Sequence, residues 1–327
     1  MDPQQPLPDA GDDAVTVTER NFRRAESDRY FERTVKLGGL GRLYHRRALV
    51  EIDRQTVIRS NRDTLYSSGV FDLDAAPVTV VLPDPGDRFM SMIVIDEDQY
   101  SRTFYAPGVF TLSRDAVQTR YAMVGLRTYV KPDDAQDLAA AHALQDAVRI
   151  EQARVGTLQV PRWDVASRDQ VRNTLIERAA RLPDTRRMFG ARNEVDPERH
   201  LIGTATGWGG NAQKDAMYLT VVPARNDGKT VHRLVVPAHV PVDGFWSISV
   251  YGPDGFFHEN PAGAYSVSDL TAHKNEDGSI TVQFGGCDAS TRNCLPIVDG
   301  WNYWVRLYRP RAQVLSGEFR FPEAQPV

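Results

Sequence analysis

The spacing of apolar and polar positions changes period along this chain. Over 14–37 it is helical, with Phe22, Ala25 and Tyr30 among the positions facing inward, Thr18 standing as N-cap and Gly38-Gly39 as the stop. Two-residue alternation then takes over. Residues 77–83 and 88–95 predict strands joined by the turn Asp84-Pro85-Gly86-Asp87, a meander or hairpin, and 121–130 predicts a further strand. Between about 133 and 190 the helical period returns. Residues 134–155 are rich in Ala, Leu, Gln and Glu, and Ser167 with Gln170 reads as a capping box ahead of Val171, Leu175, Ile176, Ala179 and Leu182, with Pro183 ending the helix.

Val195-Asp196-Pro197 and Gly207-Trp208-Gly209-Gly210 mark loops into a second alternating region. There strands are predicted at 217–222, 231–237, 245–251, 280–284 and 302–308, with Asn226-Asp227-Gly228 and Asp277-Gly278 as turns between antiparallel neighbours. The expected fold class is mainly β with helices, α+β overall. Its parts are a flexible tail at 1–14, an N-terminal β-rich domain with an entry helix at 15–132, a helical bridge at 133–190, and a C-terminal jelly-roll-like antiparallel sandwich at 191–327.

Composition narrows the functional classes. The 327 residues, 41% hydrophobic, suffice for two ordinary domains. A mixed surface with net charge -4 has no electrostatic footprint for nucleic acid or an anionic membrane, so nucleic-acid binding is not expected. No run approaches the ~20 apolar residues that cross a bilayer, so no transmembrane segment is expected. Residues 1–13 lack the basic end and apolar core of a signal peptide, which reads as cytoplasmic; a signal already removed would make the protein periplasmic or secreted instead. The two cysteines, Cys287 and Cys294, either close a loop disulfide in an oxidising compartment or stay reduced in the cytoplasm. They lack the companion ligands of a zinc site.

Three clusters carry candidate chemistry. Asn61-Arg62-Asp63-Thr64-Leu65-Tyr66 packs an amide, a guanidinium, a carboxylate and a phenol into six residues. Arg62 would act as a fork donor to an anion, Asp63 as acid or base and Tyr66 as a hydrogen-bond donor; the plain alternative is a polar turn in which Asp63 caps backbone. Asp96-Glu97-Asp98, followed by Tyr100, sets acids at a strand end where mutual repulsion raises a pKa; a solvated loop is the plain alternative. On the last strand, alternation puts Trp304, Arg306 and Tyr308 on one face, suited to stacking a ring and pairing an anion, or to an inter-domain contact. In 245–251, Trp246, Ile248 and Val250 read as core and Phe245, Ser247, Ser249 and Tyr251 as the face that could line a cavity. There is no Gly-x-Ser-x-Gly elbow, phosphate-cradling loop or zinc-binding His-Glu-x-x-His helix.

With these residues laid out, the chain resembles a bacterial two-domain family in which domain of unknown function 1254 precedes domain of unknown function 1214. The N-terminal likeness rests on Asn61-Arg62-Asp63-Thr64-Leu65-Tyr66-Ser67, Phe71-Asp72-Leu73-Asp74 and Ile95-Asp96-Glu97-Asp98 followed by Tyr100. The C-terminal likeness rests on the run from His200 to Gly210, Phe245-Trp246-Ser247-Ile248-Ser249-Val250-Tyr251, Asn260-Pro261, Ala264-Tyr265-Ser266, Asn293-Cys294-Leu295-Pro296 and Arg306-Leu307-Tyr308-Arg309-Pro310. Many relatives carry Trp where Cys294 stands and Arg where Ala264 stands, which sets this chain on a distinct branch. The resemblance implies two β-rich domains with a jelly-roll-like second one, and it transfers no activity.

Three functional readings follow. The first is a hydrolase or lyase, not a serine hydrolase of the elbow type, acting on a small carboxylated, esterified or glycosidic molecule. Asp63, Tyr66 and Asp96 would be catalytic, and Asn61, Arg62, Tyr100, Tyr251, Trp304, Arg306 and Tyr308 would hold the substrate. No cofactor is predicted, and metal dependence and homo-oligomer formation stay open. The second is a non-catalytic protein that grips a small molecule or glycan on an aromatic face including Trp246, Trp304 and Tyr308. The third is an interaction scaffold. The first requires the 61–66 cluster and the 96–98 turn to share one pocket.

Overall fold

Alternation along the chain becomes four sheets, antiparallel but for the short parallel pairing of Gln283-Phe284 with Cys294-Leu295, in a computed structural model, which describes residues 13–132, 134–182 and 184–327. Pro183 and nearly all of the expected tail lie outside the described residues. The first half contributes, in order, α1 (Phe22–Lys36), β1 (Tyr44–His45), β2 (Thr64–Asp72), β3 (Val78–Leu82), β4 (Met90–Asp96), β5 (Ser101–Tyr105), β6 (Gly108–Leu112), α2 (Arg114–Val117), β7 (Tyr121–Tyr129), α3 (Ala135–Ala147), β8 (Arg149–Gln152) and α4 (Val165–Ala179). The second half follows with α5 (Pro197–Gly207), β9 (Ala216–Val221), β10 (His232–Val236), β11 (Trp246–Tyr251), β12 (Ser266–Ser268), β13 (Ile280–Phe284), β14 (Cys294–Leu295), β15 (Asn302–Tyr308), α6 (Ala312–Ser316) and β16 (Gln325–Pro326).

Strand β4 is buried at every residue because both of its faces are covered. Met90, Met92 and Val94 pack with Val78, Val80 and Leu82 of β3, while Ile93 and Ile95 pack with Phe31 of α1. A five-stranded sheet, β1-β2-β7-β4-β5, is thereby sandwiched between a small sheet, β6-β3-β8, and a helical layer. In that layer α1, α4 and α5 meet through Phe22, Ala25, Leu175, Leu201 and Ile202. The C-terminal half is a jelly-roll-like sandwich of β12-β11-β15-β9 on β14-β13-β10-β16. Trp246, Ile248, Val305 and Leu307 fill its core against Leu234, Val282 and Phe284.

Several local expectations change. Strands β3 and β4 are not a hairpin: β3 pairs with β6 and β8, and β4 with β5 and β7. Likewise the turns at 226–228 and 277–278 carry the chain from one sheet of the sandwich to the other rather than joining paired strands. The helix read from 14 begins at Phe22, because Asn21 Oδ1 accepts from the Thr18 amide and holds the preceding residues in a turn. Helix α4 starts before the Ser167 box, with Asp164 accepting from the Ser167 amide. Asp196-Pro197 is not a loop mark but the N-cap and first residue of α5, the Asp196 carboxylate accepting from the amides of Glu198 and Arg199. Within 133–190, β8 is a strand of the small sheet and α3 packs Ala141 against Leu65 and Val130, so both serve the first half. Cys287 and Cys294 are disulfide-bonded. Among the described residues no helix is long and apolar enough to cross a membrane.

Candidate active cleft

The outer face of the β11/β15/β9 layer meets the start of β2 and the end of β7. Alternation turns Tyr303, Val305 and Leu307 into the sandwich core and leaves Trp304, Arg306 and Tyr308 on the opposite face. Tyr218 on β9 stands in register with Arg306, and Ser247 on β11 flanks it from the other side. The first half brings Asn61, Tyr66 and Arg127 to this face, and together they enclose a cavity of about 510 Å³. The segment 50–60, with a short 3-10 turn at Ile52–Arg54, forms a further wall.

That wall is fastened to the second half. Gln55 exchanges hydrogen bonds with the backbone of Phe257 at 2.8 and 2.9 Å, and the Arg59 amide donates to the Gly255 carbonyl at 2.7 Å. Arg306, only 2% exposed, donates from Nη1 to Ser249 Oγ at 2.8 Å. Its Nη2 reaches the carbonyls of Arg59 and Ser60 at 3.0 and 3.1 Å and Tyr251 Oη at 2.6 Å. Asp63, 2% exposed, accepts from Ser247 Oγ at 2.5 Å, and burial raises its pKa against the pull of Arg306 and Ser247.

Asn61 organises the polar wall. Its Oδ1 accepts from the Asp63 amide at 2.8 Å, and its Nδ2 lies 3.1 Å from Thr64 Oγ1, 3.1 Å from Tyr66 Oη and 3.2 Å from Tyr308 Oη. An amide has two protons, so these three oxygens compete for them. The two phenols are perturbed in opposite directions. Burial pushes the Tyr66 pKa up, but the Arg127 guanidinium and hydrogen bonds from Thr64 and Asn61 outweigh it and leave it below the ordinary phenol value. Tyr308 is held well above that value, by burial first and then by the neighbouring phenols of Tyr218 and Tyr66 and the Asp63 carboxyl.

Of the residues singled out in the sequence, Asn61, Tyr66, Trp304, Arg306 and Tyr308 line this cavity. Asp63 and Tyr251 lie behind its wall as buried fastenings. Arg62 turns away: it donates to the Val50 carbonyl at 2.5 Å and stacks on the Tyr265 ring. Trp246, read both as core and as part of a ligand-gripping face, is in the core.

Asp96 and Tyr100 do not join the cleft. Thr64 pairs with Tyr129 and Asp96 with Ala122, both along β7, which separates the two sites by roughly seven strand positions, about 24 Å. The cause is topological: β2 and β4 both run antiparallel to β7, so the residues before β2 and those after β4 emerge at opposite ends of the sheet. At that far end Asp96 Oδ1 accepts from the amides of Asp98 and Tyr100, and its pKa is pushed up to about 7 by burial and by Asp98. Tyr100 stacks on His200, with the Arg192 guanidinium 4.0 Å from its ring centroid. The two-carboxylate arrangement of Asp63 with Asp96 is therefore absent.

Sequence reading passed over Arg127, Arg59 and Tyr218, all on the cavity wall. Arg127 left a signal, a lone charged residue inside the otherwise apolar and small-residue strand β7. It donates to Asn211 Oδ1 at 3.1 Å and lies over the Tyr66 ring. Among the described residues no group of three or more His, Cys, Asp or Glu is placed to hold a metal ion.

The family model described as protein of unknown function DUF1254 matches residues 40–115, and that of DUF1214 matches residues 218–312. The VPA0106 protein of Vibrio parahaemolyticus has a similar solved structure, with a TM-score of 0.72 at 18% identity, covering 94% of this chain and 97% of that one. An uncharacterised protein from Burkholderia cenocepacia aligns with a TM-score of 0.51 at 11% identity, over 94% of this chain and 88% of that one. These likenesses show the fold alone. No curated protein matches the chain.

Proposed function

We propose that this chain, which belongs to the two-domain family joining DUF1254 to DUF1214, binds a small carboxylated organic molecule in the cleft between its halves. The observation that carries the reading is the charge of the wall. Arg46, Arg54, Arg59, Arg127 and Arg306 line the cavity, and among the described residues no carboxylate does. Arg59, Arg127 and Arg306 form no salt bridge among the described residues; their hydrogen bonds and ring contacts are to neutral groups, and the buried Asp63 carboxyl acts on Arg306 only at longer range. Cations partly withdrawn from water and left unpaired are costly, and an incoming carboxylate relieves that cost while accepting forked hydrogen bonds. Trp304 and Tyr218 supply ring faces for the apolar part of such a ligand. The volume suits a small organic molecule.

The competing readings lose their supports. A hydrolase built on Asp63 and Asp96 lacks the shared pocket that it needs. In a scaffold the aromatic face would be covered by another chain, whereas here the protein's own first half covers it. Calorimetric titration with phenylacetate tests the anion reading. One site is expected, with affinity that falls as salt rises, that weakens roughly 10- to 100-fold in Arg127→Gln, and that is lost for the neutral phenylacetamide. Equal binding of acid and amide would refute it.

A further inference from the structure

Two phenols from different halves of the protein meet at one amide on the cleft wall. Tyr66 arrives on β2 and Tyr308 on β15, and Asn61 Nδ2 lies within hydrogen-bond distance of both oxygens. Both rings line the cavity. The Tyr66 oxygen stands among donors and positive charge: the Asn61 amide, the Thr64 hydroxyl and the Arg127 guanidinium all favour its deprotonated form. The Tyr308 oxygen keeps its proton first of all because it is buried, and the phenols of Tyr218 and Tyr66 and the Asp63 carboxyl add to this against the opposing pull of Arg306. One site thus presents a phenol whose deprotonation its surroundings ease beside a phenol that holds its proton, next to guanidinium groups able to hold an anion. Paired titratable groups driven apart by their surroundings are how acid and base roles are divided in catalytic sites.

Resting on the anion-binding reading above, we propose that the cleft catalyses enolisation of a 2-oxo acid, with Tyr66 Oη as the base, Tyr308 Oη as the donor to the ketone oxygen and Arg127 as the partner of the carboxylate. The Tyr66 phenolate takes a proton from the carbon next to the ketone. The electron pair of that C–H bond becomes the carbon–carbon double bond of the enolate, and the carbonyl π pair moves onto oxygen, where it accepts the Tyr308 hydrogen. Tyr66, now protonated, exchanges that proton with solvent and returns one to carbon, which restores the ketone and the phenolate and leaves the carbon labelled when the solvent is deuterium oxide. No oxidant, reductant or second substrate enters the balance. Asn61 is a positioning residue, holding the two phenols at one locus.

The test is deuterium wash-in. Phenylpyruvate and 2-oxobutyrate are incubated with the full chain in deuterium oxide, and loss of the C3 proton signal is followed by NMR against the uncatalysed rate. Exchange is expected, rising with pH through a midpoint below the ordinary phenol value, and falling about 100-fold or more in Tyr66→Phe while calorimetry shows the probe still bound. Tyr308→Phe is expected to slow exchange by a smaller factor. If Tyr66→Phe fails to fold, the wild-type pH profile decides: a rate that does not climb through such a midpoint overturns the inference. Unchanged exchange in Tyr66→Phe overturns it as well. Binding of the probes without exchange overturns this inference and leaves the anion site standing, whereas failure to bind either probe or phenylacetate removes both.

Discussion

Replacing Arg306 with methionine should free the 50–60 wall from the second half. Methionine keeps much of the arginine stem but removes every donor, so Ser249 Oγ, the carbonyls of Arg59 and Ser60, and Tyr251 Oη lose their shared partner. Each buried acceptor left alone costs about 1–3 kcal/mol. Tyr251 Oη still donates to the Ser60 carbonyl at 2.7 Å, and the variant no longer desolvates a guanidinium, which together set the net loss at about 3 kcal/mol. The Arg59 amide is the reporter, because its bond to the Gly255 carbonyl breaks only when the wall lifts. At about 1.4 kcal/mol per decade, amide exchange across 51–60 should accelerate roughly 150-fold. Arg306→Lys, which keeps the charge and fewer donors, should fall between. Exchange in Arg306→Met within threefold of wild type would refute the fastening.

Asp28 supplies a pH dependence. Its carboxyl accepts from Trp163 Nε1 at 2.8 Å, and burial first of all raises its pKa from 3.8 to about 7. Below pH 4 the group is protonated folded or unfolded and its contribution is intact; between 4 and 7 only the unfolded chain ionises it, so stability falls by up to about 4 kcal/mol. Asp28→Asn should therefore melt higher than wild type at pH 8 and show little gain at pH 4; parallel curves would contradict this. The disulfide between Cys287 and Cys294 spans a short loop, and the double serine variant should lose about 2–3 kcal/mol in urea denaturation, with reductant lowering the wild-type melting temperature; insensitivity to reductant would count against it.

Much of the architecture is written in the alternation. Ile280–Phe284 and Asn302–Tyr308 match their predicted ends, and inward Trp246, Ile248 and Val250 are in the core as expected. Pairing is not written there, because a period of two says which face of a strand is buried and not which strand lies beside it. That is why alternation makes β3 and β4, neighbours in sequence, a meander or hairpin while long-range contacts place them in different sheets. The same gap governs the site. The Trp304, Arg306, Tyr308 face and the Asn61, Tyr66 cluster were each visible locally, but their meeting depends on docking one half on the other. Asp96 was wrongly joined to them because the shared direction of β2 and β4 is a property of the sheet. Arg127 was missed because β7 reads as an ordinary buried strand with one charge.

The most direct measurement is a crystal structure of the protein soaked in 4-bromophenylacetate, with bromine located by its anomalous scattering. The bromine is expected beside Trp304 and the carboxylate within hydrogen-bond distance of Arg127, inside the cavity shared by both halves. A bromine peak outside that cavity, or a carboxylate turned away from every guanidinium of its wall, would contradict it.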